Sequence, residues 1–324
     1  MRRRLDGASV SSMPQDARVA DAPTTERPVV LVGYDGTDES RDALALARLL
    51  APALGAELHV VAIFVHAPLE VEGTLYARLV QEETERFEHE IRHQLGELPA
   101  RTLVVPAASA AGALHGLAER KDAALIVLGS THRGTLGRIL PGSVGERLLA
   151  AGPSAVAVAP RGFASRTETA LRSLGVAWTD GPESERALAL AAELAERAGS
   201  ELRLLTVVEP VSHLVPAGPS GSGAWSALEG SFEQAEAQET TERGRILSAV
   251  RKSLPGHLEA SSELLRGDPV ERLIESSTEL DLLVLGSRGY GPLRRVLLGS
   301  VSSPLLRRAE CPVVVVPRAA RSEN

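Results

Sequence analysis

The chain has 324 residues, which suits two domains of ordinary size better than one. Its 44% hydrophobic and 24% charged content belong to a soluble globular protein, and a net charge of −7 disfavours a nucleic-acid or anionic-membrane surface. The single cysteine, Cys311, excludes an intramolecular disulfide, and no apolar run approaches the ~18 residues of a membrane span, so a cytoplasmic protein is expected.

Residues 1–27 carry basic side chains with no apolar core behind them, so they read as a tail and not as a secretory signal. The first strand is VVLVGY at 29–34, closed by Asp35-Gly36. A helix follows with apolar positions at Ala43, Leu44, Ala47 and Leu50, and Pro52 predicts a kink or an early end, since an interior proline costs ~3 kcal/mol. The next strand is ELHVVAIF, 57–64, and a long charged helix spans about 74–95. That helix holds His89-Glu90-Ile91-Arg92-His93, the H-E-x-x-H pattern, but no third ligand is near in sequence, so a solvated face is expected. A third strand and a short helix lead to LIVL at 125–128, then to GSTHRGTLGRILPGS at 129–143, a helix and a last strand, AVAVAP, 155–160.

The order then repeats. A linker, 161–171, precedes LGVAW at 174–178, the turn Asp180-Gly181, and a helix with Ala187, Leu188, Ala191 and Leu194 inward. The strand ELRLLTVV, 201–208, is followed by a Gly-, Pro- and Ser-rich stretch at 211–231, which reads as an extended loop, and a charged helix at about 226–253. Gly267-Asp268-Pro269 marks the end of a third strand, with Ala110-Ala111-Gly112 as its expected first-half counterpart. LLVL at 282–285 leads into GSRGYGPLRRVLLGS at 286–300, then a helix, VVVVPR at 313–318 and a tail, 319–324. Gly129 and Gly286, Gly142 and Gly299, and Pro160 and Pro317 are all 157 apart, whereas Ser40 and Ser184 are 144 apart. The second half has therefore gained a net thirteen residues, placed by composition in 211–231. Strands alternating with helices predict a parallel sheet covered on both faces, with ligands beyond the carboxyl ends of the strands.

Each glycine loop is a candidate phosphate cradle, because glycine turns sharply and leaves its N–H groups open to an anion. In the second half Gly286, Gly289, Gly299 and Ser300 give G-x2-G-x9-G-S, while His132 stands where the first copy should have its second glycine. With the Asp-Gly turns in a duplicated frame, the chain resembles a tandem member of the universal stress protein family, over about 28–160 and 172–318. That resemblance implies an α/β fold of two five-stranded parallel-sheet sandwiches of adenine nucleotide α-hydrolase type, related by a pseudo-two-fold axis. It also implies ATP, with Mg2+ as a candidate companion, as the bound cofactor.

Carried over residue by residue, the implied second-half site is Gly286, Gly289, Gly299, Ser300, Val207 and Asp180, the last only if the turn is one residue shorter than the ungapped frame, which puts Thr179 there. In the first half the implied positions are Gly129, Gly142, Ser143, Asp35 and Ile63, and His132 predicts that the better pocket lies in the second half. The resemblance also implies that the final strands pair the halves as an internal pseudo-dimer, and it leaves a homodimer open. No paired carboxylates or metal cluster recur in both halves, so a stress-regulatory binding module is expected, with at most slow ATPase or autophosphorylation. The alternatives are an interaction protein acting through its dimer surfaces, and, less favoured by VGYDGTDES, an ATP-hydrolysing enzyme. Cys311 reads as a buried residue, and Arg294-Arg295 and Arg307-Arg308 as solvated helix faces.

Overall fold

The computed structural model describes residues 27–65, 73–96, 98–131, 142–151, 154–166, 170–210, 223–287 and 299–317. His132, Gly289, Arg294, Arg295, most of both tails and residues 211–222 lie outside them. The first half runs β1 (Val29–Tyr34), α1 (Asp38–Ala53), β2 (Glu57–Val65), α2 (Gly73–Leu95), β3 (Ala100–Ala107), α3 (Ala110–Lys121), β4 (Ala123–Gly129), α4 (Ser143–Ala151) and β5 (Ala155–Ala159). The second runs β6 (Ser173–Ala177), α5 (Pro182–Ala198), β7 (Glu201–Val208), α6 (Gly223–Ser253), β8 (Ala260–Arg266), α7 (Pro269–Ser277), β9 (Leu282–Gly286), α8 (Ser302–Arg308) and β10 (Val313–Val316).

Local chemistry sets these boundaries. Thr37 caps α1 by accepting from Ser40 N–H, Ser109 caps α3, and Asp268 caps α7 with two such bonds. Pro52 ends α1 early, as expected: the helix stops one residue later, and Gly55 N–H bonds back to the Pro52 carbonyl. Two expectations need correction. Helix α6 begins at Gly223, so part of the second half's insertion is extra helix, 31 residues against 23 in α2, and not loop. The counterpart of Gly267-Asp268-Pro269 is Ala108-Ser109-Ala110, because Asp268 and Ser109 are the two caps; Ala110-Ala111-Gly112 is already the first turn of α3.

Among the described residues ten strands form one sheet in the order β3-β2-β1-β4-β5-β10-β9-β6-β7-β8. Pairing is parallel within each half, and β5 and β10 meet antiparallel at the centre. The two final strands are thus interior, each paired to its own half on one side and to its twin on the other. Alternation along the strands divides the core by face. Val30, Val32, Val176 and Leu204 join α1, α2, α5 and α6 on one side; Leu31, Val61, Leu205 and Leu283 join α3, α4, α7 and α8 on the other. Each face is a single cluster spanning both halves, so burial as well as strand pairing holds the halves together.

Candidate functional site

The carboxyl ends of β6, β7 and β9 open into a cleft of about 750 Å³. Gly286 closes β9 at one wall, and Gly299 and Ser300 stand just before α8. Val207 and Leu205 from β7, Leu273 from α7 and Leu285 from β9 supply apolar lining, and Gly267-Asp268-Pro269 forms a rim. Helix α6 contributes Glu239 and Arg243. The site thus gathers segments from 177 to 302 that only the sheet topology brings together.

Glycine at 286 has a packing cause. A Cβ there would lie 2.7 Å from the carbonyl carbon and oxygen of Glu183, in the first turn of α5. Gly129, at the end of β4, meets the Glu39 backbone of α1 in the same way and more tightly. Gly299 is different: among the described residues the nearest atom to its Cβ position is Ser302 Oγ at 3.5 Å, and Ser300 is exposed.

Of the residues implied for the second half, the cleft takes Gly286, Gly299, Ser300 and Val207, and does not take Asp180. Asp180 is exposed, while Thr179 lines the cleft. Sheet register explains why: Val32 pairs with Val60 and Val176 with Leu204, an offset of 144 that carries Asp35 to Thr179. Thr179 is anchored by buried Ser184, whose Oγ accepts from Thr179 N–H at 3.2 Å and lies 3.1 Å from Thr179 Oγ1. Gly289 lies outside the described residues.

The sequence pattern did not single out Trp178, Glu209, Glu239 or Arg243. Trp178 is buried at the cleft, and among the described residues its Nε1 has no partner; its signal was a rare tryptophan at the end of LGVAW. Glu239 and Arg243 sit four apart in a charged helix and look like any solvated pair.

The equivalent region of the first half is built differently. Asp35 is exposed, and its Oδ1 accepts from Thr37 N–H at 3.1 Å and Thr37 Oγ1 at 2.6 Å. Ile63 pairs with Val105 on β3, Gly142 precedes α4, and Ser143 opens that helix, exposed. Tyr34 donates its hydroxyl to Glu90 at 2.8 Å, and Arg41 joins Glu90 at 3.3 Å. Burial, then the Glu90 carboxylate, pushes the Tyr34 phenol up to about 12. Glu90 of the H-E-x-x-H pattern thus faces inward, against the solvated face expected of it, while His89 and His93 are exposed. Among the described residues no group of three or more His, Cys, Asp or Glu is placed to hold a metal. Arg308 pairs with both carboxylate oxygens of Glu271 at 2.5 and 2.8 Å, tying α8 to α7. Cys311 is buried, which pushes its thiol up to about 12. No helix among the described residues is long and apolar enough to cross a membrane.

Comparison with known proteins agrees with this duplicated architecture. A universal stress protein of Mycolicibacterium smegmatis is 31% identical over 309 residues, covering 89% of this chain and 96% of that one. A universal stress protein of Mycobacterium bovis is 29% identical over 212 residues, 64% of this chain and 69% of the other. The crystal structure of a universal stress protein from Archaeoglobus fulgidus superposes with a TM-score of 0.63 at 21% identity, over 91% of this chain and all of that one, a likeness of fold. The sequence model of the Universal stress protein family matches twice, at residues 27–160 and 171–317. The chain belongs to the universal stress protein family, with two tandem copies of its domain.

Proposed function

We propose that the second half binds ATP in this cleft and that the protein acts as a nucleotide-dependent regulator. The carrying observation is the cleft itself. About 750 Å³ at the carboxyl ends of parallel strands falls within the roughly 300–1,000 Å³ of small-molecule sites. The space beside Gly299 leaves its backbone open to a phosphate, with the Ser300 hydroxyl next to it as a donor. Gly286 lets the α5 backbone approach the end of β9, Val207 and Leu205 offer apolar surface to a base, and Thr179 offers a hydroxyl where the first half has Asp35. The family pattern adds Gly289 to the cradle. Glu183, Glu209, Glu239 and Asp268 make the wall acidic, which favours a triphosphate accompanied by Mg2+.

Catalysis is not part of this reading, because among the described lining residues none stands as an activated nucleophile beside a general base. The alternative of a protein acting through its dimer surfaces is less supported, since β5 and β10 already pair with each other. The test is mass spectrometry of nucleotide released on denaturing the purified protein, followed by ATP titration of Gly299→Glu and Ser143→Glu. Adenine nucleotide is expected from the wild type, with affinity lost in Gly299→Glu and kept in Ser143→Glu. A wild-type chain that neither carries nor binds adenine nucleotide rejects the proposal.

A further inference from the structure

Helix α6 brings to the cleft a group that α2 lacks. Ile91 and Leu247, buried in α2 and α6, are 156 apart, as are Leu98 and Leu254, which pack on the same core. That offset carries Phe87 to Arg243. Phe87 packs edge-on against Tyr34, with ring centroids 6.2 Å apart, and fills its position with apolar surface. Arg243 instead lines the cleft, together with Trp178, the counterpart of Tyr34.

The local partner of Arg243 does not account for it. Its Nη2 lies 3.4 Å from Glu239 one turn earlier, with the side chains 35% and 43% exposed, and such helix-surface pairs contribute little. Among the described lining residues Arg243 is the one cation, set against Glu183, Glu209, Glu239 and Asp268. Asp268 is committed to the cap of α7, where its Oδ1 accepts from Val270 and Glu271 N–H. A triphosphate keeps net negative charge even with Mg2+ bound, so an otherwise acidic wall still opposes it and a cation at this wall favours it.

We propose that Arg243 is a ligand-binding residue of the second-half site: its guanidinium exchanges Glu239 for the polyphosphate of the bound nucleotide and so selects nucleotides over nucleosides. This rests on the nucleotide reading given above. The guanidinium is always charged and presents paired donors that match phosphate oxygens, which makes the exchange favourable.

The test is calorimetric titration of the full chain and of Arg243→Ala with MgATP and with adenosine. Arg243→Ala is expected to weaken MgATP by about tenfold and adenosine by less than about twofold. Retained adenosine affinity also shows that the variant site has kept its fold. MgATP binding left intact by Arg243→Ala overturns this proposal alone, and so does an equal loss for both ligands. Failure of the wild-type chain to bind either ligand overturns the nucleotide reading and this proposal with it.

Discussion

Ala157 on β5 and Val314 on β10 face each other directly across the antiparallel seam. They are also the same position of the repeat, since the offset of 157 that relates the glycine loops carries Ala157 onto Val314. The flanking pairs, Val158 with Val313 and Val156 with Val315, exchange under the same operation. The pseudo-two-fold axis therefore passes through this pair. A sheet edge that pairs with its own equivalent is self-complementary, the property of an isologous dimer interface.

Separating the halves should convert this internal pairing into an external one. Residues of β5 are at most 6% exposed in the whole chain, and without β10 they would form a bare apolar edge. Residues 27–166 expressed alone are expected to self-associate about Ala157, and to form a one-to-one complex when mixed with residues 170–317. Sedimentation of the first fragment as a stable monomer would show that the seam is not self-complementary.

The glycines of the loop motif should separate by role. Gly286→Ala is expected to cost about 1–3 kcal/mol of stability, because the new Cβ would press on the Glu183 backbone. Gly129→Ala should cost at least as much, since the Glu39 carbonyl already occupies that space. Among the described residues Gly299→Ala meets only Ser302 Oγ, at 3.5 Å, and it should stay within about 0.5 kcal/mol of the wild type. Urea denaturation of the three variants checks the order, and equal costs would remove the packing explanation.

These glycines show what was legible in the sequence. The succession of strands and helices and its repetition in two halves follow from hydrophobic runs and offsets, since these encode burial directly, whereas the pairing of the last strands was implied by the family resemblance alone. The cleft wall follows less well. A motif reads Gly286 and Gly299 as one kind of residue, while only the approach of the α5 backbone distinguishes them. Thr179 and Asp180 differ by one position, and sheet register, not the recurrence of Asp-Gly, decides which lines the cleft. Arg243 lies in a helix whose charge pattern is that of any solvated surface, and its place depends on contacts far away in sequence.

The strand exits carry a second symmetric device, built from opposite charges. Buried Asp42 on α1 accepts from Gly162 and Ala164 N–H, both at 2.7 Å, and so holds the linker turn beyond β5. Its equivalent 144 residues on, Arg186 of α5, donates to the Pro317 carbonyl at 2.5 Å, just past β10. Asp42→Ala leaves two N–H groups without their acceptor and is expected to cost about 2–4 kcal/mol. Arg186→Ala gives up one bond to a single carbonyl and should cost about 1 kcal/mol. Chemical denaturation measures both, and the reverse order would deny the linker turn its role.

Stability should fall in mild acid because of His59. This residue lies on β2, 2% exposed, between Leu31 and Arg101 in the ladder. Among the described residues its Nδ1 has no partner, and its Nε2 is 3.4 Å from the Glu57 carboxylate, which Arg101 also approaches at 3.4 Å. Burial holds the imidazole below its ordinary 6.5, the Arg101 and Lys121 charges add to this, and Glu57 opposes it. The unfolded chain therefore takes up the proton first as pH falls. The stability tied to neutral His59 is complete above about pH 6.5 and drains away below it, by about 1.4 kcal/mol for each unit that the folded value is depressed. Acid acts on more than one group, so the informative quantity is a difference between proteins. Between about pH 7.5 and 5.5 the wild type should lose more stability than His59→Leu, in which that proton has no site. Parallel urea midpoints across this window would place the acid sensitivity elsewhere in the fold.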